Sequence, residues 1–285
     1  MNYNFIRSHR ASQILKDFLR SNGINHHWLI PRNICPIVLK VFKTLSIKYS
    51  LIDIYKNGLI NLDKIENNNV DYGLLFVEAY GEKVNSNNLF KEFKINNPGS
   101  IIIKDKCLSI PEKLVNINFD NYSDLILYST GYSKFLDLKE GGYAFYNKKF
   151  NIKQFLDFDS DFETFKDRYN NYLLKKKWDE ISMEEIQYLT NEEQNKKKII
   201  NNKILNILIK NNIKSNLISK VWRYTILTNN MKVLEKVLNE NKILFGHNYP
   251  CMLHLEINIE DCQACNHEKK IINIFNDFRF NQNAK

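Results

Sequence analysis

The residue of this chain best placed to do chemistry is Lys134, a lysine in a turn rich in hydroxyl groups and glycine. It stands six residues beyond the apolar run "LILY", within the stretch "STGYSK". That is the carboxyl end of a predicted strand, where open α/β sheets place their ligand-binding crevice. A lysine amine there can attack a carbonyl group or act as a general base, whereas most loop lysines are simply solvated.

A carboxylate accompanies this lysine. The apolar run "SIIIKD" ends in Asp105, 29 residues before Lys134, so Asp105 is also expected at the carboxyl end of a strand. An isolated aspartate after a strand is usually a turn or helix cap. A lysine that can form a Schiff base and a carboxylate that can keep a pyridinium nitrogen protonated are, together, what pyridoxal phosphate needs.

The same cofactor also needs a site for its phosphate group. The stretch "RSHRAS" directly precedes the first predicted helix, and "STGYS" contributes Ser129. Hydroxyl groups, guanidinium groups and helix N-termini all suit a dianion. We therefore expect Ser129 and Arg10 to contact the phosphate, with a plain surface position as the alternative for Arg10.

The first half of the chain supplies elements that would position these groups. A helix is predicted over "ASQILKDFLRSNG", ending at Gly23, and another begins at Pro36. Strands are predicted at "HHWLIP", "KYSLIDI", "YGLLFVEAYG", "SIIIKD", "DLILYS" and "GGYAFYN". This alternation predicts an α/β domain with a mostly parallel, mixed sheet that is covered on both faces.

The second half has a different character. Residues from Phe162 to Asn216 are highly charged and helix-like, and the polar stretch "TNEEQNKKK" is expected to be an exposed helix end or a connector. The stretches "VWRYTILT", "NMKVLEKVLNENK", "CMLHLEI" and "HEKKIINIFNDF" then predict a β-α-β-α unit. We predict a large cofactor-binding α/β domain over 1–150, followed over 151–285 by a helical connector and a small C-terminal α+β domain.

Composition excludes several classes of function. The net charge is +9, but the basic residues are scattered among asparagines instead of clustered, so no nucleic-acid partner is expected. An anionic small substrate suits such a surface. Five cysteines and an N-terminus without an apolar core predict a cytoplasmic protein. No apolar run approaches the roughly 18 residues of a membrane span.

These motifs resemble the DegT/DnrJ/EryC1/StrS family of sugar aminotransferases, which are fold type I pyridoxal-phosphate enzymes. The spacing from Ser129 to Lys134 matches the family's S-x-x-x-x-K, and the Gly-Gly of "KEGGYAF" follows it as in the family. Asp105 lies at the family's usual separation before the lysine. The stretches "SHRAS" and "HNYP" are similar to the family's early phosphate-binding turn and small-domain motif, so the resemblance covers most of the chain.

The resemblance implies roles for the predicted residues. Lys134 would form the Schiff base with pyridoxal 5'-phosphate and then move a proton as general base and acid. That role requires a lowered pKa, which burial and the cationic Schiff base would provide. Asp105 would pair with the pyridinium nitrogen, and Ser129 and Arg10 would bind the phosphate.

The chain departs from the family pattern at several positions. His9 stands where the family's early turn has a glycine, and we place it among the phosphate contacts. Cys35 ends the stretch where a stacking aromatic residue usually falls, and Leu108 replaces the usual Gln or His that contacts the ring hydroxyl. The chain is short and begins close to the phosphate turn. Asn170 and Asn171 in "YNNYL" are a weak match for the asparagine through which a partner subunit reaches the phosphate.

By resemblance, the protein would be a homodimer that transfers an amino group, expected to come from glutamate, to a keto group on a nucleotide-linked sugar. This reaction would serve surface polysaccharide or glycoconjugate biosynthesis. One alternative is a catalytically weak or inactive member of the fold that acts as a partner or regulator, which Leu108 favours. Another is a different pyridoxal-phosphate reaction, such as elimination. Arg223 would either bind a substrate carboxylate between the domains or, in the interpretation we prefer, be structural or face a partner.

A zinc site is the main competing interpretation of the C-terminal region. The stretch "EDCQACNH" contains one knuckle of cysteines, whereas structural zinc sites normally pair two well-formed knuckles. The segment "CQACNHEKKIINIF" instead has the pattern of an amphipathic helix, so no metal is expected. The candidate ligands are Cys251, Cys262, Cys265, His247, His254 and His267.

Overall fold

The main sheet of the protein has seven strands. The structure is a computed structural model that describes residues 3–63, 65, 71–113, 122–155, 178–247, 249–255 and 262–281. The strands are β1 (Tyr3–Ser8), β2 (His27–Pro31), β3 (Tyr49–Ile52), β4 (Tyr72–Val77), β5 (Ile101–Asp105), β6 (Leu125–Ser129) and β7 (Gly142–Asn147). Their order is β1-β7-β6-β5-β4-β2-β3. Within this sheet β7 is antiparallel to both of its neighbours, and the other pairings are parallel.

The hydrophobic pattern of the first half explains this sheet. Strands β4, β5 and β6 are nearly continuous apolar runs, and they lie buried at its centre. The helices of this half are α1 (Ala11–Phe18), α2 (Pro36–Thr44) and α3 (Asn87–Asn96). Helix α1 continues as a wider turn to Gly23, and α2 starts with Pro36 in its first turn, as predicted. The predicted fold class, α/β with a mostly parallel mixed sheet, is confirmed.

A second, four-stranded antiparallel sheet follows. Its strands are β8 (Asn216–Ser219), β9 (Tyr224–Leu227), β10 (Phe245–Gly246) and β11 (Ile271–Ile274), in the order β10-β11-β9-β8. The helices of this half are α4 (Met183–Lys210), α5 (Met231–Glu240), α6 (Gln263–Glu268) and α7 (Phe278–Asn281). Apolar residues of α4 and α5 pack against this sheet and form its core.

Three local predictions were wrong. The stretch "TNEEQNKKK" lies inside α4, because Glu, Gln and Lys are good helix formers and a capping box at Ser182 and Glu185 starts the helix upstream. The stretch "CMLHLEI" begins with a turn of 3-10 helix, Met252–Leu255, and not with a strand. The predicted helix "HEKKIINIFNDF" contains β11, whose β-branched residues pair with β9. Strand β1 had no counterpart among the predictions.

The two halves of the chain contact each other through short hydrogen bonds. Ser219 at the end of β8 donates its hydroxyl hydrogen to the Tyr80 carbonyl, which follows β4, at 2.9 Å. The domain boundary proposed at residue 150 stays a prediction, because residues 156–177 lie outside the described part of the chain. Among the described residues, no helix is both long and apolar enough to span a membrane.

Candidate active site

A half-open pocket lies at the carboxyl ends of β4 and β5. The space it encloses, including the part open to solvent, is about 380 Å³. It is lined by Asn33, Ile34, Cys35, Val77, Ala79, Tyr80, Asp105, Cys107, Leu108, Lys134 and Tyr249. Two turns that are distant in sequence therefore bring Asp105 and Lys134 to one pocket, as the strand pattern predicts.

Asp105 is the last residue of β5 and is buried. It pairs with Val77 on β4, so both residues reach the pocket from adjacent parallel strands. The backbone N–H of Cys107 donates to Asp105 Oδ1 at 2.8 Å, so the turn after the strand fixes the orientation of the carboxylate. Burial, followed by the Asp105 carboxylate, raises the pKa of the Cys107 thiol, which stays protonated at neutral pH.

The two lysines that flank Asp105 belong to a separate buried ion network. Lys104 Nζ lies 3.1 Å from Glu78 Oε1, and Lys106 pairs with Glu112. Because successive side chains of a strand point to opposite faces, both lysines point away from the face to which Asp105 belongs. Neither lysine lines the pocket, whereas Lys134 does.

The residue before Lys134 is held in a strained conformation by contacts from the turn between β8 and β9. Ser133 has a φ of 62°, which is uncommon for a residue other than glycine. The Trp222 indole N–H donates to the Ser133 carbonyl at 2.6 Å, and Arg223 Nη2 donates to Ser133 Oγ at 2.6 Å. The Ser133 N–H donates to Asp137 Oδ2 at 2.9 Å. Strain that is fixed by several partners is typical of functional turns, and here it sets the position of Lys134.

The pocket determines the charge of Lys134. Burial lowers the pKa of its amine, but Tyr249, Cys35 and Cys107 in their ionised forms, together with Asp105, outweigh burial, so that the pKa lies above its ordinary value. Burial alone therefore does not give the lowered pKa that the sequence interpretation requires. Without a carbonyl ligand, Lys134 is an ammonium group at neutral pH.

Aromatic residues complete one wall of the pocket. Tyr80 follows β4 with a φ of 57°, and its hydroxyl group lies 3.2 Å from His267 Nδ1. Gly81 has a φ of +84°, and a Cβ there would stand 2.3 Å from the Leu108 carbonyl oxygen, so only glycine fits this turn. Tyr249 stacks on Trp222 with ring centroids 5.8 Å apart. Of these aromatic residues, only Tyr249, in the motif "HNYP", was singled out from the sequence.

The residues predicted to contact the phosphate lie around Gly141, at the start of α1. Arg10 forms a β-bridge with Gly141, and the His9 carbonyl accepts the Gly141 N–H at 2.7 Å. The buried Ser129 hydroxyl group donates to the backbone carbonyl of Gly141 at 3.5 Å. Helix α1 begins immediately after Arg10. The His9 ring lies 3.5 Å from the Glu140 carboxylate, measured from Nδ1 to Oε2.

The structure thus divides the predicted site residues into two groups. The first group lines the pocket and consists of Lys134, Asp105 and Cys35. The second group surrounds Gly141, outside the pocket lining, and consists of Ser129, Arg10 and His9. Asn170 and Asn171 lie outside the described residues.

Comparisons of the whole chain place it in one structural class. No family model matches the sequence, and no curated protein matches it. Solved structures do match: a DegT DnrJ EryC1 StrS aminotransferase from Brucella abortus has a TM-score of 0.67 at 15% identity, covering 95% of this chain and 80% of that chain. PseC of Helicobacter pylori, an aminotransferase involved in the biosynthesis of pseudoaminic acid, has a TM-score of 0.65 at 14% identity, covering 95% and 81%.

A third match carries a cofactor. NtdA from Bacillus subtilis, solved with bound cofactor PMP, has a TM-score of 0.64 at 12% identity, and the match covers 98% of this chain and 71% of that chain. At such identities the likeness shows the fold. The chain therefore has the fold of these aminotransferases, and the resemblance to the DegT/DnrJ/EryC1/StrS family is confirmed at the level of the fold.

Proposed function

We propose that this chain is a pyridoxal-phosphate-dependent aminotransferase. The observation that carries the proposal is that Lys134 and Asp105 line one pocket at the carboxyl edge of the sheet. When bound, pyridoxal phosphate supplies an electron sink that makes the bonds at an amine-bearing carbon labile. A lysine to hold it and a carboxylate to keep its ring nitrogen protonated are the two groups that this chemistry requires.

The rest of the pocket fits the ring of this cofactor. Val77, Ala79 and Leu108 supply apolar surface, and the buried Asp105 carboxylate supplies the one full negative charge among the described lining residues. Apolar walls with few polar groups are typical of sites for aromatic ligands. For the phosphate we propose Ser129, Arg10 and His9, since they meet at the N-terminus of α1, where backbone N–H groups favour an anion.

The chain's own residues would position and move protons. Lys134 would hold the cofactor covalently and then transfer a proton at the reacting carbon. Its amine must first lose a proton, because the surrounding groups keep its pKa above the ordinary value. Trp222 and Arg223 hold Ser133, so the second sheet fixes the backbone from which the Lys134 side chain extends.

Arg223 supports an anionic amino donor. Its Nε and Nη1 atoms are buried and receive no hydrogen-bond partner from the described residues, while Nη2 binds Ser133 beside Lys134. Burial, followed by the nearby Arg279, lowers the pKa of Arg223 to about 10, and it remains charged at neutral pH. Buried unpaired donors are costly and favour a charged acceptor. We infer that Arg223 binds a carboxylate of the amino donor, for which glutamate is the proposed compound.

The amino acceptor we propose is a keto group on a nucleotide-linked sugar, used in polysaccharide or glycoconjugate biosynthesis by a homodimer. The involvement of PseC in the biosynthesis of pseudoaminic acid supports a sugar product for a protein of this fold. The net charge of +9 suits an anionic nucleotide sugar.

The test is a single-turnover half-reaction. Purified protein is loaded with pyridoxal phosphate and mixed with L-glutamate, and the 2-oxoglutarate released is measured. We expect one equivalent per chain, and we expect Arg223→Met to raise the glutamate concentration needed by about 10- to 150-fold, the loss typical of a hydrogen bond to a charged group. Lys236→Met, on the exposed face of α5, is the matched control and keeps the wild-type value.

A second candidate function rests on Leu108. Its buried side chain lines the pocket where the family usually has a polar contact to the ring hydroxyl. This favours a cofactor-binding protein with little catalysis, acting as a partner or regulator. Protein that binds pyridoxal phosphate at Lys134 but releases no 2-oxo acid from any amino acid would favour this candidate, and turnover gained by Leu108→Gln would support it further. Release of ammonia would instead indicate elimination.

A further inference from the structure

A compact cluster of three buried cysteines lies beside the candidate active site. Cys262 Sγ lies 3.6 Å from Cys251 Sγ and 2.9 Å from Cys265 Sγ, and the Sγ atoms of Cys251 and Cys265 are 3.0 Å apart. The three residues form no disulfide. Two of these separations are shorter than the contact of neutral thiols, yet all are longer than the about 2.05 Å of a disulfide. The three sulfur atoms are the one group of potential metal ligands found within mutual reach among the described residues.

Hydrogen bonds fix the turn that carries Cys262 and Cys265. The Cys265 N–H donates to Cys262 Sγ at 3.2 Å, an arrangement that stabilises a thiolate. Asp53, just after β3, accepts the N–H groups of Gln263 and Ala264 at 2.9 and 3.0 Å. Backbone contacts therefore fix the turn before any ligand binds.

A metal ion fits this triangle of sulfurs. An ion about 2.3 Å from each sulfur, the usual zinc–thiolate distance, would stand roughly 1.3 Å out of the plane of the three atoms. Full tetrahedral geometry would separate the sulfurs by about 3.8 Å, so the shortest pair would open by less than about 1 Å. The fourth position of the tetrahedron is not supplied by the described residues.

We propose that Cys251, Cys262 and Cys265 bind one zinc ion as thiolates. Thiolates are soft ligands that select zinc over the hard cations. Two of the histidines weighed as ligands have other partners: His247 Nε2 lies 3.1 Å from Glu235, and His267 Nδ1 lies 3.2 Å from the Tyr80 hydroxyl group. The helix favoured by the sequence pattern for this segment covers only Gln263–Glu268, with Cys262 before its start.

The location gives the site a structural role. Cys251 follows Tyr249, which lines the pocket, by two residues, while Cys262 and Cys265 pack against Ile54 in the large-sheet half. A shared ion ties the segment that carries Tyr249 to the turn at the start of α6, whose backbone N–H groups donate to Asp53 after β3. Zinc would therefore stabilise one wall of the candidate active site without touching the reacting atoms.

The first test is metal content. Protein produced with zinc and reductant, then dialysed, is analysed by inductively coupled plasma mass spectrometry. We expect about one zinc per chain, reduced at least tenfold by Cys251→Ser, Cys262→Ser or Cys265→Ser, and unchanged by Cys107→Ser, a cysteine outside the cluster. Absence of stoichiometric zinc, iron with acid-labile sulfide, or a mass loss that indicates a disulfide would each overturn the proposal.

A second measurement uses the wild-type chain and does not depend on the variants folding. Cobalt(II) added to the metal-free protein should give the near-ultraviolet charge-transfer absorption of thiolate ligands. Alkylation with iodoacetamide should modify the three cysteines only after a strong chelator is added, as mapped by peptide mass spectrometry. Cobalt binding without that absorption, or alkylation that is independent of the chelator, would contradict a thiolate site.

Discussion

A buried lysine that supports the active-site turn makes the stability of this protein depend on pH. Lys197 lies in the middle of α4, and its Nζ donates to the Trp222 carbonyl at 3.0 Å and to Asn276 Oδ1 at 2.9 Å. Glu193 lies 3.9 Å away. Burial lowers the pKa of Lys197 from 10.5 to about 8. Since Trp222 in turn holds Ser133, this lysine belongs to the support of Lys134.

The sign and size of the effect follow from proton linkage. Between pH 8 and 10.5 the unfolded chain keeps the Lys197 proton while the folded chain has lost it. The unfolded state then binds more protons, so the free energy of unfolding rises with pH. A shift of this size corresponds to about 3 kcal/mol in total, of which about 2 kcal/mol would appear between pH 7.5 and 9.5.

Urea unfolding at pH 7.5 and at pH 9.5 measures this difference. Lys197→Met removes the titrating group and keeps a long side chain. From pH 7.5 to pH 9.5 the free energy of unfolding of the wild type should therefore rise by about 2 kcal/mol more than that of this variant. Other titrating groups cancel in the comparison. Ile209→Met, at an exposed position of the same helix, should show the wild-type pH dependence. If the rise in the free energy of unfolding of the wild type exceeds that of Lys197→Met by less than about 0.5 kcal/mol, the reasoning is refuted.

Three further predictions concern the site itself. The rate at which pyridoxal phosphate attaches to Lys134 is followed by visible absorbance after mixing. This rate should rise about tenfold per pH unit from pH 7 to 9, because the fraction of neutral amine rises by that factor below its pKa. A plateau of the rate below pH 9 would contradict the raised pKa. Asp105→Asn should slow the glutamate half-reaction by about 10²–10³-fold, since a preorganised charge is lost, whereas an unchanged rate would remove Asp105 from the chemistry. Gly81→Ala should lower the free energy of unfolding by at least about 2 kcal/mol, because a Cβ would meet the Leu108 carbonyl at positive φ. Gly131→Ala is its control, because an added Cβ there would make only ordinary van der Waals contacts, at 3.5 Å or more. Equal costs for both variants would refute the steric argument.

The parts of the structure predicted from sequence are those that local pattern determines. Strands β4, β5 and β6 are long apolar runs bounded by turns, and their carboxyl ends necessarily meet at one edge of a parallel sheet. That rule, together with the family spacing, led to the expectation that Asp105 and Lys134 lie near one another. The common pocket needed no information beyond the order of the elements.

The parts that were missed depend on contacts between distant segments. The run that forms β11 suits a strand or a helix equally well, and pairing with β9 decides between them. Trp222 and Tyr80 contribute through hydrogen bonds that join the two halves of the chain, which no spacing reveals. The cysteine cluster likewise brings Cys251 to Cys262 and Cys265, a proximity that sequence spacing does not fix.

The most direct test of the central claim is to locate the covalent bond to the cofactor. Purified protein is incubated with pyridoxal phosphate, reduced with borohydride and digested, and the labelled peptide is identified by mass spectrometry. We expect one label per chain, on Lys134, and none in Lys134→Ala. Absence of any label, or a label at Lys104 or Lys106 in the buried ion network, would contradict it.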